Sequence, residues 1–297
     1  MTGRATAPAP VWGWESAYPA PAKLNLFLHV VGRRADGYHL LQTVFRFIDR
    51  ADVLRFAPRT DGQVVLATPL PGVPADTDLT VRAARLLQVE SGTGRGVTIT
   101  LEKRLPLGGG IGGGSSDAAT VLLALNHLWG LGLSRQRLQA LGLTLGADVP
   151  VFVYGRPAFA GGVGEELTPV AVPDETYLVV ESPVAVPTPL IFSAPELVRD
   201  TPAIDPAGWR PGQGHNDLEA VACARFPQVA ERLAWLTGAA RDHGGGVARM
   251  TGSGACVFAG FSRRDAAEQA LARLPAGWVG WVAAGLQDHP LRGLLAD

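Results

Sequence analysis

The stretch PLGGGIGGGSSDAAT, residues 106–120, decides how the rest of the chain is interpreted. Six of the seven residues 108–114 are glycine, and a helical pattern begins at Ser115. The preceding run GVTITLE, residues 96–102, alternates and predicts a strand. Each glycine weakens regular structure by roughly 0.5–1 kcal/mol relative to alanine. A glycine loop between a strand and a helix start therefore favours a site where backbone N–H groups surround a phosphate.

Two common phosphate-binding patterns do not fit this loop. The pattern GxxxxGK[ST] fails because no lysine follows the glycines. GxGxxG matches at Gly108, Gly110 and Gly113, but a dinucleotide fold also needs a strand after the helix, and residues 134–145 predict a second helix. A flexible glycine linker is the plain alternative, and the abrupt helix start argues against it. The loop indicates a nucleotide-phosphate site of another kind.

Towards the N-terminus, PAKLNLFLHV at residues 21–30 alternates and predicts a strand that returns over residues 38–48. The chain has 26 basic residues, and only Lys23 and Lys103 among them are lysine. Lysine is a compact charge that arginine cannot replace where shape or proton chemistry matters. Lys23 is therefore a candidate site residue with Asn25 on the same strand face, although a solvent-facing lysine on an edge strand is the simpler alternative.

Further candidates lie in GADVPVF and DGYH. Asp148 follows Gly146 and has a plain interpretation as the N-cap of a helix that begins at Val149-Pro150. Tyr38 and His39 follow a predicted turn and could be ordinary surface or core rings. Beside a phosphate site, they would suit a flat heterocycle, because one ring can stack on it while the other forms a hydrogen bond.

The composition bounds the class of protein. A chain of 297 residues with net charge −1 lacks the basic excess expected of proteins that bind nucleic acid or anionic membranes. Two cysteines make no disulfide framework, and we expect a cytoplasmic protein. Residues 1–18 predict a loose leader, and no apolar run is long enough to span a bilayer. The mixed order of strands and helices predicts an α+β protein with a domain boundary near residue 155.

Residues 106–120 closely resemble the second motif of the GHMP kinases. Three further stretches resemble the branch of that family that acts on a diphosphocytidyl-linked methylerythritol in the non-mevalonate isoprenoid pathway: residues 21–45, 142–153 and 249–259. The resemblance implies a two-domain fold with an N-terminal ATP-binding domain of mixed sheet and helices at 19–155. It also implies a ferredoxin-like α/β sandwich at 156–297 that contributes to the substrate site.

The resemblance also implies roles for individual residues. Lys23 and Asp148 match the family's catalytic pair. ATP phosphates are expected on one continuous segment: Pro106, Leu107, Gly108, Gly109, Gly110, Ile111, Gly112, Gly113, Gly114, Ser115 and Ser116. Ser116 is also the candidate contact for Mg²⁺. The expected substrate contacts are Asn25, Tyr38, His39, Thr188 and Phe192.

Two other motifs have a plain interpretation, and the first of them also has a family interpretation. MTGSGA, residues 250–255, predicts a β-turn, and by resemblance it is the family's third motif, packed against the phosphate loop. HNDLE, residues 215–219, predicts a helix start with Asn216 as N-cap and Glu219 at the third helical position. Asp78 stands where the family more often has asparagine.

These features together predict an ATP-dependent kinase for a hydroxyl of the diphosphocytidyl-linked substrate, acting as a monomer or weak homodimer. A GHMP-type kinase of another small alcohol is one alternative, although such an alcohol offers no ring for Tyr38, His39 and Phe192. A nucleotide-binding module without catalysis is another, and the presence of Lys23 and Asp148 argues against it.

Overall fold

The computed structural model describes residues 11–70 and 72–295. The strands are β1 (Tyr18–Arg33), β2 (His39–Arg59), β3 (Val64–Leu66), β4 (Gly96–Glu102), β5 (Ala158–Gly161), β6 (Glu166–Pro169), β7 (Thr176–Val180), β8 (Arg249–Met250), β9 (Val257–Phe261) and β10 (Gly280–Leu286). The helices are α1 (Leu79–Ser91), α2 (Gly113–Leu128), α3 (Arg135–Leu143), α4 (Val149–Tyr154), α5 (Thr188–Phe192), α6 (Asp217–Arg225), α7 (Pro227–Asp242) and α8 (Arg264–Leu271). Among these described residues, none of the helices has the length and apolar character needed to cross a membrane.

The long strand β2 organises the first half of the molecule. It pairs antiparallel with β1 along one edge and with β5 and β4 along the other. Helices α1 to α4 pack with this sheet around one hydrophobic core that includes Phe47, Leu87 and Leu122. Both faces of β1 are buried between residues 20 and 30, apart from Leu26, so the alternation in its sequence does not mark a solvent face.

The second half is built on the antiparallel strands β10, β7, β9 and β8, in that order. Helices α5 to α8 enclose a second core, which includes Leu178, Leu236 and Val257. Strand β10 also pairs with β2 through Gly285 and Leu286, and all strands therefore belong to one ten-stranded sheet. Backbone pairing across the junction fixes the two halves relative to each other.

Most predicted elements are present, and two differ. Helix α2 begins at Gly113, two residues before the predicted start. Gly112, with φ +72°, is its N-cap, so the first helical turn includes Gly113 and Gly114. Residues 188–192 form the short helix α5, for which the sequence analysis gave no helical prediction. Proline fits the first turn of a helix because the missing N–H has no partner there anyway.

The predicted boundary near residue 155 follows the end of α4. Strands β5 and β6 come after it in sequence, yet β5 returns to β2 in the first half of the molecule. Of the predicted leader, residues 1–10 lie outside the described residues. Trp12 and Trp14 pack against the first core, so this part of the segment is docked and not loose.

Candidate active site

Lys23 lies on β1 with its side chain almost completely buried. Its Nζ is 3.2 Å from Oδ2 of Asp148 and donates to Oδ1 of Asn25 at 2.6 Å. The ammonium also stands 5.3 Å from the ring centre of Phe45. These contacts hold the charge in one place, and because the side chain is buried, the solvent-facing alternative for Lys23 is wrong.

Asp148 occupies the residue before α4, where the sequence allows an N-cap. Its backbone adopts φ −83° and ψ −13°, and its side chain makes no capping hydrogen bond. The carboxylate turns towards Lys23 and remains about one-third exposed. It is therefore a charge placed beside the ammonium and open to a ligand.

The glycine loop wraps around the side chain of Lys23. Gly108, Gly110 and Gly112 have φ near +70°, a conformation that side chains disfavour. A Cβ at Gly112 would lie 3.0 Å from Cγ of Lys23 and from Phe152. The carbonyl of Ile111 accepts from the backbone N–H of Lys23 at 2.9 Å. The loop thus passes close to strand β1 at Lys23 and leads directly into the N-terminus of α2.

The third motif packs against this loop, as its sequence predicted. Backbone N–H groups of Ala255 and Cys256 donate to the carbonyls of Gly108 and Gly109 at 3.2 and 3.1 Å. A Cβ at Gly110 would lie 2.2 Å from the carbonyl oxygen of Thr251, so the two backbones are in close contact. The loop is therefore held between strand β1 and a turn of the second half.

The HNDLE segment supports the third motif from behind. Asn216 caps α6 by accepting from the N–H of Leu218 at 3.0 Å, which confirms the predicted helix start. Its amide also donates to the carbonyls of Met250 and Gly252 at 2.8 and 2.9 Å. Glu219, at the third helical position, accepts from the N–H of Met250. The HNDLE segment therefore holds the third motif in place, and the third motif in turn holds the glycine loop.

A cavity of about 280 Å³ opens where these elements meet. Its walls include the predicted catalytic pair, loop residues and substrate contacts: Lys23, Asn25, Gly110, Gly112, Ser115, Asp148, Thr188, Phe192 and Ser253. Pro106 and Leu107 lie at the start of the loop, and the Leu107 side chain is exposed. Residues far apart in sequence thus converge on one space beside an ion pair.

Ser116 does not face this space. Its side chain is fully buried, and its hydroxyl donates to the carbonyl of Pro21 at 2.7 Å. The expected contact of Ser116 with phosphate and metal is therefore corrected, because its position on α2 turns it towards β1. Ser115, one residue earlier, lines the cavity.

A second cavity of about 640 Å³ adjoins the first and shares Thr188 and Phe192 with it. Tyr38 and His39 also line it, and the Tyr38 side chain is 66% exposed. The ring centres of His39 and Phe192 are 4.9 Å apart. Thr188 Oγ1 is 2.7 Å from Oγ of Ser253 in the third motif. The cavity can hold a flat ring close to the reactive pair.

A buried charge cluster that no sequence pattern predicted lies beneath the loop. Lys103 Nζ donates to Asp52 at 2.5 Å and to Asp117 at 2.8 Å. Asp52 also accepts from the backbone N–H groups of Arg104 and Leu105, which lead into the loop. Burial raises the pKa of Asp117 to about 7, with Asp52 adding to the shift and Lys103 opposing it. The rarity of lysine was the available signal, because both lysines lie against the glycine loop.

Asp78, where the family more often has asparagine, is the N-cap of α1. Its carboxylate accepts from the backbone N–H of Thr80 at 2.8 Å. Aspartate and asparagine cap helices equally well, so this departure leaves the start of α1 intact.

Comparison with known proteins places the chain among kinases. Residues 78–156 match the model of the GHMP kinases N terminal domain, and residues 213–280 match that of the GHMP kinases C terminal. The 4-diphosphocytidyl-2-C-methyl-D-erythritol kinase of Dechloromonas aromatica (strain RCB) is 67% identical, over 92% of this chain and 98% of that protein. The kinase of the same name from Thiobacillus denitrificans is 62% identical, over 93% and 98%.

Solved structures give the same grouping. A crystal structure of 4-(cytidine 5′-diphospho)-2C-methyl-D-erythritol kinase has a TM-score of 0.77 and 38% identity, and the match covers 91% of this chain and 99% of that chain. A crystal structure of mevalonate kinase has a TM-score of 0.64 at 12% identity, over 92% of this chain and 100% of that one, and shares the fold alone.

Proposed function

The chain belongs to the GHMP kinases, in the branch of the 4-diphosphocytidyl-2-C-methyl-D-erythritol kinases, and we propose that it transfers a phosphoryl group from ATP to the 2-hydroxyl of that substrate. The observation that carries the proposal is the contact between Lys23 and Asp148 at 3.2 Å, in a cavity walled by the glycine loop and by Thr188 and Phe192. An ammonium, a carboxylate and a phosphate cradle are the parts that phosphoryl transfer to an alcohol requires.

The order of proton transfer follows from acidity. An alcohol has a pKa comparable to that of water, about 15.7, and a carboxylic acid about 3.9. Complete removal of the proton before attack would cost on the order of 16 kcal/mol, which is too much for an enzyme of ordinary rate. A loose transition state asks little of the nucleophile early on. Asp148 therefore orients the hydroxyl and takes its proton late, as the new P–O bond forms.

Lys23 serves the same step in two ways. Its ammonium, 3.2 Å from Oδ2 of Asp148, holds that carboxylate in place at the cavity. It also offsets negative charge that develops on the phosphoryl oxygens. The hydrogen bond to Asn25 and the close approach of Gly112 fix the ammonium for both tasks.

A Mg²⁺ ion fits the oxygen donors at the cavity. Mg²⁺ is usually held by phosphate oxygens, water and one or two carboxylates. Ser115 is the hydroxyl at the cavity that would hold it together with the nucleotide phosphates. The described residues contain no cluster of three or more His, Cys, Asp or Glu side chains suited to a metal, so the phosphates would supply most of its ligands. When bound, the ion would neutralise charge on the transferring group.

ADP release with a panel of alcohols tests the proposal. We expect ATP- and Mg²⁺-dependent ADP formation with 4-diphosphocytidyl-2-C-methyl-D-erythritol and none above background with mevalonate, galactose or homoserine. Mass spectrometry of the product should show one added phosphate, and phosphorus–carbon coupling should locate it at the 2-position, because C2 carries the methyl group and no hydrogen. ADP formation only with one of the other three alcohols would overturn the substrate assignment.

A further inference from the structure

Arg199 forms hydrogen bonds with His39 and Phe192, the two residues whose rings stand together in the second cavity. Its Nε donates to Nε2 of His39 at 3.1 Å. One terminal nitrogen donates to the carbonyls of Phe192 and Ala194 at 3.0 and 2.7 Å, and the other donates to the carbonyl of Leu197 at 2.8 Å. A single guanidinium therefore fixes both the histidine and the segment that carries the phenylalanine.

This contact determines which nitrogen of His39 carries the proton. A guanidinium has donors and no acceptor, so Nε2 of His39 must be the acceptor of a neutral ring. Burial, followed by the charges of Arg199 and Arg33, lowers the pKa of His39 and favours that neutral form. The proton then resides on Nδ1, which has no protein partner among the described residues. His39 lines the second cavity and, in this tautomer, has an N–H donor at Nδ1 that is available to a ligand.

A donor at this position distinguishes two pyrimidines. Cytosine offers acceptors at N3 and O2, whereas uracil carries a proton on N3. An N–H group directed at this edge pairs with cytosine and meets another donor in uracil. A site whose buried donor is left unpaired rejects the wrong ligand strongly.

We propose that Arg199 is a positioning residue for base specificity, which holds His39 as the Nδ1–H tautomer and Phe192 beside it so that the cavity prefers cytosine to uracil. The inference rests on the proposed function for the identity of the substrate. The tautomer of His39 does not depend on that function.

Nitrogen NMR of the full-length protein tests the first part of the proposal, the tautomer of His39, without substrate. We expect His39, assigned with a His39→Gln variant, to carry its proton on Nδ1 in the wild-type protein. Arg199→Met should return it to the Nε2–H form that free neutral histidine favours. A wild-type His39 with the proton on Nε2 would overturn the inference, and this measurement remains decisive even if Arg199→Met fails to fold.

Steady-state kinetics test the second part of the proposal, the preference for cytosine over uracil. Arg199→Met should raise KM for the diphosphocytidyl substrate about tenfold, as expected for one lost hydrogen bond, and should reduce the cytidine-over-uridine ratio of kcat/KM by a similar factor. The kcat and the KM for ATP should change less than about twofold.

Arg225→Met is the matched control. Arg225 binds the carbonyl of Leu190 and the carboxylate of Glu196 on the same segment, with no contact to His39. It should leave the base preference unchanged. An equal loss in both variants, or an unchanged preference in Arg199→Met, would overturn the proposal. Absence of wild-type turnover with the diphosphocytidyl substrate would instead count against the proposed function.

Discussion

Lys23 shows why a single residue type can be required at one position. Its ammonium is placed by Asn25 and Asp148, and its methylene carbons lie where Gly112 allows the loop to pass. Arginine carries the same charge in a wider planar group. The space beside Gly112 and Phe152 is too narrow for that group without movement of the loop.

Lys23→Arg is therefore expected to lower kcat by about 100-fold or more, a loss comparable to removal of one preorganised donor in other enzymes. Steady-state kinetics with saturating ATP provide the measurement. Arg264→Lys, on the exposed face of α8, is the control for exchanging the two residue types and should leave kcat unchanged. Retention of more than half of the wild-type kcat in Lys23→Arg would contradict this account of the site.

The buried Asp117 predicts an unusual dependence of stability on pH. Its pKa in the folded protein, about 7, lies above the usual value of 3.8, so the folded state binds more protons between these values. Stability from this group is fully present below about pH 4 and is lost as pH rises through 7. Asp117→Asn removes the titration, and its unfolding free energy in urea should fall less between pH 5 and 8 than that of the wild type.

Asp52→Asn is the matched comparison, because Asp52 accepts from two backbone N–H groups and from Lys103. It should lower stability at every pH. An unchanged pH slope in Asp117→Asn would show that Asp117 does not titrate as described.

At the scale of elements, the glycine loop and the third motif form one unit. The backbone of Gly110, at φ +72°, lies against the carbonyl of Thr251, and no side chain fits between them. Thr251 also accepts from the N–H of Asn25 through its hydroxyl, at 3.1 Å. The loop, the turn and strand β1 therefore depend on each other for their positions.

Gly110→Ala should push the glycine loop and the third motif apart. We expect the variant to fold, with a loss of stability of a few kcal/mol from backbone strain and a displaced turn, and to bind ATP at least tenfold more weakly by calorimetry. Gly130→Ala, at a positive φ in open space after α2, carries similar strain away from the site and should leave ATP affinity unchanged. Equal ATP affinity in Gly110→Ala and the wild type would contradict the proposed role of the loop.

Local patterns predicted most of these elements, and long-range contacts account for the differences. The strand before the loop, the Ser134 cap of α3 and the Asn216 cap of α6 each depend on neighbouring residues. Ser116 was misplaced because the rotation of α2 relative to β1 is set by packing, which no local pattern records. In the buried cluster, Lys103 contacts Asp52, 51 residues away, and Asp117, 14 residues away, and the rarity of lysine was its only signal in the sequence. The fold and the proximity of Lys23 and Asp148 were accessible through family motifs, whose order along the chain carries tertiary information.

At the scale of the whole molecule, the two-domain GHMP kinase fold expected from the sequence is confirmed. The halves are joined at β2 and β10, where the buried Arg46 donates to the carbonyls of Leu286 and Pro173 at 3.1 Å. The C-terminal segment then returns to the first core, and His289 packs edge-on against Phe47. The two cavities are lined by residues of both halves, so their shape depends on this junction.

His289 predicts how the junction responds to acid. Complete burial, with Arg135 as a lesser cause, lowers its pKa from 6.5 to about 3. The stability that comes from keeping this ring neutral is present above pH 6.5 and is lost as pH falls towards 3. His289→Asn keeps an acceptor for the N–H of Leu291 and removes the titration. Its unfolding free energy should decrease less than that of the wild type between pH 6.5 and 4.

His127→Asn, at an exposed histidine, is the control and should retain the acid sensitivity of the wild type. Identical acid profiles for His289→Asn and the wild type would contradict the burial of a neutral His289 as a source of this sensitivity.

The most direct test of the central claim is a single-turnover measurement on Asp148→Asn, paired with calorimetry of a non-hydrolysable ATP analogue. Asparagine keeps the shape at position 148 and removes the base, so phosphoryl transfer should slow by about 100- to 10,000-fold. Affinity for the analogue should stay within about threefold, because the loop and not Asp148 holds the phosphates. Phosphoryl transfer at close to the wild-type rate, or a parallel collapse of nucleotide binding, would contradict the claim that Lys23 and Asp148 form a reactive pair beside an independent phosphate cradle.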